Sequence, residues 1–279
     1  MFSLVVCSVH RFDQLERLFA SLAEQTFHDF EVVLVDQNPD DRLVPIVERH
    51  AAAYPIRHIR SPKGLSRARN NGIAAARGDF LAFPDDDCWY RADTLGRAAA
   101  LFAAHPHLSI VTGRTLDSGG HPSVSPTGDI ARDITRANYL ECGNSNGIFV
   151  RAELLKAIGG FDERLGVGAD TPFQSGEEAD LLLRAVASGG KLRFFPELVV
   201  HHDQVDTVIA DAQIERARKY GRGFGALLSK HRFGAGYASY RLARSLTGMT
   251  VAMVRGDTWK ARYKWAWALG IFEGYRAWD

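Results

Sequence analysis

The chain has 279 residues, 46% of them apolar and 24% charged, a globular balance that excludes a mainly disordered polypeptide. Its 34 basic and 33 acidic residues leave a formal charge of +1, so no global field recruits nucleic acid and none is expected as a partner. No uncharged apolar run reaches the roughly 18 residues that span a bilayer.

The charge is unevenly spread. Residues 1–204 carry 21 Lys and Arg against 27 Asp and Glu, a net of −6, whereas residues 205–279 carry 13 against 6, a net of +7. Cys7, Cys88 and Cys142 are too scattered for a disulfide framework or a paired zinc knuckle, and they fit a reduced, cytoplasmic setting. Residues 1–8 lack the basic start and long apolar stretch of a signal peptide.

Residues 2–9 form a short apolar run that reads as a buried strand. Leu15, Leu18, Phe19 and Leu22 then recur at helical spacing. Residues 31–36 read as a second strand, 56–60 as a third, 80–83 as a fourth and 108–112 as a fifth, with helices around Leu43–Val47, over 68–77 and from Leu95 to Phe102. Strands alternating with helices predict an α/β fold with a mostly parallel sheet flanked by helices. Ligands of such sheets sit beyond the carboxyl ends of the strands. Residues 115–136, rich in Gly, Ser, Pro and Asp, are too long for an ordinary connection and read as a binding loop or lid. Order resumes at 147–150, with helices over 153–158 and 178–188 and one or two strands over 191–200. The basic tail divides into helical segments at 212–219, 224–231, 240–254 and 258–278.

The residues that could carry chemistry lie at the ends of these elements. Asp85-Asp86-Asp87 follows a strand that reads as buried; three adjacent carboxylates repel one another unless a cation lies among them, although an acidic turn before the helix near Asp93 would look the same. Asp36 also ends a buried strand and could accept hydrogen bonds from a ribose or base, or simply serve the turn before Pro39. In Gly64–Gly72 (GLSRARNNG) a helix would put Ser66, Arg69 and Asn70 on one face, with the Arg69 fork suited to a diphosphate. In Gly176–Arg184 (GEEADLLLR), Asp180 and Arg184 are spaced to pair, and Glu178 opens the helix with a carboxylate able to act as a general base. Of His201 and His202, at most one can face a cleft, because neighbours on a strand point to opposite sides.

The order of these motifs resembles family 2 glycosyltransferases of the GT-A fold, whose single domain is Rossmann-like. The matching residues are Val5–Arg11 (VVCSVHR), Val32–Asp36 (VVLVD), Gly64–Gly72 (GLSRARNNG), Phe80–Asp87 (FLAFPDDD), Gly159–Glu163 (GGFDE) and Gly176–Arg184 (GEEADLLLR). The resemblance covers residues 1–204, implied to be the nucleotide-sugar-binding and catalytic domain, with 205–279 as a helical extension. It implies that Ser8, Arg11 and Asp36 touch the nucleotide, that Arg69, Asp85 and Asp86 line its site, and that Asp85-x-Asp87 is the Asp-x-Asp motif. Asp87, with Asp85 and His202, would ligate Mn²⁺ or Mg²⁺. Glu178 stands where the family usually has the Asp of a Glu-Asp pair, and Gln37 where many members have a second Asp.

The implied reaction is inverting, metal-dependent transfer from a nucleotide sugar, a UDP-sugar being the expected donor, to an acceptor hydroxyl on a glycan or lipid-linked acceptor. A nucleotidyltransferase, releasing pyrophosphate, and a non-catalytic sugar-binding module are the competing readings. In the tail, Trp259, Tyr263, Trp265, Trp267, Phe272, Tyr275 and Trp278 stand among Lys260, Arg262, Lys264 and Arg276. That mixture suits peripheral contact with the cytoplasmic face of an anionic membrane, and equally packing on the catalytic domain or on the second subunit of a homodimer.

Overall fold

The computed structural model describes residues 1–124, 128–204 and 210–278. They divide into two compact units. The first holds residues 1–63, 67–161 and the chain from Leu181 through its last strand. The second holds 64–66 and 162–180 together with the helices from 210 onward, so it recruits more than the basic tail alone.

The first unit is built on one sheet. β1 (Phe2–Ser8), β2 (Phe30–Asp36), β3 (Ile56–Arg60) and β4 (Phe80–Ala82) are followed by β5 (Cys88–Tyr90), β6 (Ile110–Leu116), β7 (Arg132–Asp133), β8 (Ile148–Arg151) and β9 (Leu192–His202). The strand order is β3-β2-β1-β4-β8-β6-β9-β5, with β7 also on β9. β3, β2, β1 and β4 run parallel. Beyond β4 the sheet is mixed: β8 is antiparallel to β4 and β6, β6 is parallel to β9, and β5 and β7 are antiparallel to β9. The sheet is therefore parallel where strand and helix alternate in sequence and mixed where that rhythm breaks.

Strand alternation sets the two faces. Phe2, Leu4 and Val6 join Leu15, Leu18, Phe19 and Leu22 of α1 (Asp13–Ala23) and Leu95, Ala98 and Phe102 of α4 (Thr94–Ala104) in one core. α2 (Val44–His50) contributes Ile46. Val5 points the other way, against α3 (Leu65–Ala75), where a Cβ on Gly72 would lie 2.3 Å from Val5 Cγ1. Gly72 lets this helix press onto the sheet. α5 (Ala152–Ile158) ends on Gly159 in the left-handed conformation, and α6 (Glu177–Ala187) follows.

In the second unit, α7 (Asp211–Lys230) is one unbroken helix where the sequence reads as two segments. It packs with α9 (Thr258–Ala277), and α8 (Ala235–Val254) lies along α9. Glycines make the α7–α9 contact: a Cβ on Gly225 would lie 2.2 Å from the Ile271 carbonyl oxygen, and one on Gly270 would lie 2.3 Å from that of Arg218. Leu165, Phe173 and Ala226 form a small core beside Trp278, and the Arg164 guanidinium lies 4.0 Å from the Trp278 ring centre. No described helix is long and apolar enough to cross a membrane.

Candidate active site

The parallel register gathers the chemistry at one edge of the first unit. Ser8 pairs with Asp36 across β1 and β2, and Cys7 bridges to Asp85 just beyond β4. Both ladders stop together, so Ser8, Asp36 and the acidic trio share the carboxyl edge.

Asp36 is fully buried and strongly held. Its Oδ1 accepts from the backbone N–H and the Nδ2 of Asn38, both at 2.8 Å. Its Oδ2 lies 3.0 Å from His58 Nε2 and 2.9 Å from Arg60 Nη1. Four donors match the roughly four lone-pair positions of a carboxylate, so Asp36 organises the loop after β2, and the Asn38 Oδ1 accepts in turn from the His10 N–H at 2.8 Å.

The trio divides its labour. Asp85 takes Arg69 Nη2 at 3.1 Å and the Ser145 hydroxyl at 3.2 Å. Arg69 itself is buried, 5.1 Å from the Phe161 ring centre. Asp86 is buried and accepts from Arg11 Nη1 at 2.7 Å. Burial lifts the Asp86 carboxyl to about 6 against the pull of the Arg11 charge. Asp87 also pairs with Arg11, and its Oδ1 lies 3.3 Å from His202 Nε2. Burial opposes ionisation of Asp87, yet the His202 bond and the Arg11 charge carry its pKa below the usual carboxylate value. The same bond raises that of His202 against its own burial.

A three-residue strand brings Asp87 and His202 together. β5 pairs with β9 in the register Cys88 to His202, so Asp87, one residue before β5, meets the last residue of β9. Trp89 stacks on His201 with ring centres 5.4 Å apart, and the Arg17 guanidinium covers Trp89 at 3.9 Å. His202 Nδ1 lies 2.5 Å from the Asp203 carbonyl oxygen; a carbonyl only accepts, so Nδ1 carries the proton. In neutral His202 the Nε2 lone pair therefore faces the Asp87 carboxylate, an arrangement that needs a proton or a cation between them.

Two ligands of an octahedral Mg²⁺-like ion at about 2.1 Å lie roughly 3.0 Å apart when adjacent, close to the observed separation. The donor set thus fits a hard divalent cation held by one carboxylate and one imidazole. Among the described residues no three His, Cys, Asp or Glu side chains gather to hold a cation alone. Asp85 is engaged by Arg69 and Ser145 instead, so further ligands would come from a diphosphate and water, as is usual for this ion class. Burial pushes the Cys7 thiol at this edge up to about 12, away from the thiolate form that is the nucleophile.

Behind the edge, Asn70 clamps the backbone of Phe161, donating to its carbonyl at 2.9 Å and accepting its N–H at 2.8 Å. Gly160, at φ +68°, makes this possible, since its Cβ would lie 2.6 Å from Asn70 Oδ1. Arg184 donates to the carbonyls of Ile158 and Gly160, closing α5. The sequence pointed to none of these roles, nor to Ser145, Asn38, His58 or Arg60.

In the second unit, Ser66 donates to the Leu165 carbonyl at 2.5 Å. Asp180, fully buried, is bound by Lys230 at 2.6 Å and His231 at 2.7 Å, which anchors the first turn of α6. Within that turn Glu177 is buried and Glu178 is half-exposed.

The family model described as "Glycosyl transferase family 2" matches residues 3–151, just over half of the chain. A PGL/p-HBAD biosynthesis glycosyltransferase of Mycobacterium tuberculosis is 31% identical over 177 residues, 62% of this chain and 68% of that protein. A pre-mycofactocin glycosyltransferase of the same species is 29% identical over 232 residues, 78% of this chain and 45% of that protein. Among solved structures, S. aureus TarS 1–349 in complex with UDP-GlcNAc is similar with a TM-score of 0.62 and 18% identity, covering 96% of this chain and 92% of that one. The mannosyltransferase PcManGT from Pyrobaculum calidifontis, in complex with GDP-Man and Mn²⁺, gives 0.63 and 18%, covering 97% and 86%. These structural likenesses show the GT-A fold, and with the sequence match they establish that the chain is a glycosyltransferase belonging to family 2.

Proposed function

We propose that the enzyme transfers a sugar from a UDP-sugar to an acceptor hydroxyl with inversion at the anomeric carbon, using a divalent cation. The observation that carries the metal is the Asp87–His202 pair, with Nδ1 of His202 fixed as a donor and Nε2 turned to the carboxylate. Asp87 and His202 would hold Mn²⁺ or Mg²⁺, which when bound supplies Lewis acidity toward the leaving diphosphate. TarS with UDP-GlcNAc supports a uridine donor, and PcManGT with GDP-Man and Mn²⁺ supports the cation.

This chain's residues do the rest. Arg11 pairs with both Asp86 and Asp87 and offsets part of their negative charge, which lessens the repulsion an anionic donor meets at the acidic edge. Arg69, buried against Asp85, holds that carboxylate at the edge with a guanidinium of the kind that suits oxyanions. The acceptor oxygen forms a bond to the anomeric carbon as the carbon–phosphate oxygen bond breaks. The hydroxyl proton passes to a carboxylate, a role worth about 10²–10⁴-fold. Glu178 is the proposed base, supported by its motif position and half-exposure beside buried Glu177. A single displacement with one base inverts configuration.

The test is product analysis with metal present. Free UDP and an inverted glycoside support the reading; pyrophosphate release would assign nucleotidyl transfer, and UDP-sugar binding without turnover across a broad acceptor panel would assign a binding module.

A further inference from the structure

We propose that one flank of the α8–α9 hairpin docks on an anionic lipid surface. Much of the aromatic content of the tail is consumed by packing inside the second unit: Trp267 stacks on Phe224, Trp278 lies against Phe173, and the Tyr275 hydroxyl reaches the Phe233 carbonyl. A separate set is left outside. On α8, Leu246 is 37% exposed and Met253 62%; on α9, Trp265 is 52% exposed and Phe272 48%. Each pair is spaced by seven residues, two helical turns, so each forms a stripe along its helix.

The two stripes lie on the same side. α8 meets α9 along Ala238, Ser245 and Ala252, buried at seven-residue intervals, and the Ser245 hydroxyl donates to the Lys264 carbonyl at 2.9 Å. On α9 the contact is at Lys264, whose side chain also lies beside Gly248, and buried Ala261 and Ala268, three residues before it and four after, share that helix face. Advancing about 100° per residue, Leu246 and Met253 fall to one side of the α8 seam, and Trp265 and Phe272 fall to one side of the α9 seam. Because the helices are right-handed and antiparallel, these are one flank of the hairpin. Met253 places this flank next to the hairpin tip, where Val254 is 84% exposed and Trp259 is also exposed.

Charge selects the occupant. Residues 235–278 contain seven Lys and Arg and two acids, Asp257 and Glu273. Both acids are engaged: Asp257 caps the Lys260 N–H, and Glu273 is bound by Arg218 and Arg222. The cations rim the apolar stripe, with Arg276 over Phe272 at 5.5 Å, Arg262 over Trp259 at 4.7 Å and paired to Asp211, and Arg255 and Lys260 exposed at the tip. Apolar and aromatic side chains rimmed by Arg and Lys match the interface of a bilayer carrying anionic headgroups. A second copy fits worse, because an isologous contact through this flank sets the same cations against each other. The helices would lie in the interface, since neither is apolar enough to cross it.

The experiment is flotation of the full chain with vesicles of phosphatidylcholine alone and of equal parts phosphatidylcholine and phosphatidylglycerol, at low and high salt. Binding to the mixed vesicles only, weakened by salt, is expected. Trp265→Ser with Phe272→Ser should cut the bound fraction about tenfold or more, and Arg276→Gln about fivefold, with unchanged melting temperature in both. Equal binding to neutral vesicles, no binding to either, or full binding by the folded double variant would each overturn the proposal. So would a dimer in sedimentation that the double variant dissociates. The readout is lipid binding rather than turnover, so it stands or falls separately from the sugar-transfer reading.

Discussion

His202 Nε2 lies 3.3 Å from Asp87 Oδ1, while its Nδ1 is held as a donor to the Asp203 carbonyl. An imidazole so fixed offers a proton or a lone pair to the carboxylate, and a divalent cation can replace the proton. UDP binding should therefore strengthen with Mn²⁺ in the wild type. Asp87→Asn should weaken binding in Mn²⁺ by at least about 10–100-fold and leave it near wild type in EDTA. Calorimetry of both proteins in both conditions checks this; identical affinities with metal would remove Asp87 from the ligand set.

Glu178→Gln keeps size and hydrogen-bonding capacity but loses basicity. Turnover should fall about 10²–10⁴-fold, with UDP affinity within twofold of wild type. Steady-state kinetics with a competent acceptor, beside a UDP titration, separates the two quantities. Unchanged turnover would sink the base assignment.

What the sequence made legible is what is encoded locally. Apolar runs ending in Asp36 and Asp85 announced the carboxyl edge, because a buried strand followed by carboxylates is a local pattern. β5 was not legible: Cys-Trp-Tyr is too short to show alternation, and only its pairing with β9 gives it strand form. That same pairing joins Asp87 to His202, so their proximity could not be derived without it. Asp36 was legible as a site position, whereas its saturation by Asn38, His58 and Arg60 depends on a neighbouring strand and loop. α7 looked broken across 220–223 because Gly221 and Gly223 disfavour a helix locally. Their purpose appears only with partners present: Gly221, like Gly225 a turn later, admits α9, and Gly223 admits Ser175.

That explanation predicts opposite signs for two glycines. A Cβ on Gly274 would lie 1.9 Å from the Arg222 carbonyl oxygen, whereas one on Gly236 would meet nothing within 4 Å. Gly274→Ala should destabilise by about 1–3 kcal/mol through overpacking, despite the roughly 1 kcal/mol that alanine gains in helix propensity. Gly236→Ala should stabilise by about 0.4–1 kcal/mol. Chemical denaturation of the two variants compares them directly, and equal effects would refute the close-packing account.

Acid should loosen the second unit through Asp162. Its carboxylate is bound by Arg164 Nη2 at 2.8 Å and Lys230 Nζ at 2.7 Å. Burial alone would push its pKa up; these bonds outweigh it and hold the group well below the usual carboxylate range. A depressed folded-state pKa means that the unfolded chain takes up the proton first, at about pH 3.9. The stabilisation is therefore fully present above that value and is lost as the pH falls toward the folded-state pKa. Lys230 also binds Asp180, so protonating Asp162 removes one partner of a shared cation while the anchor of α6 is retained. Asp162→Asn should cost about 1–3 kcal/mol at pH 7 and flatten the fall in stability below pH 4. Melting curves from pH 7 to pH 3 for both proteins test this, and parallel pH profiles would show that Asp162 carries none of the acid sensitivity.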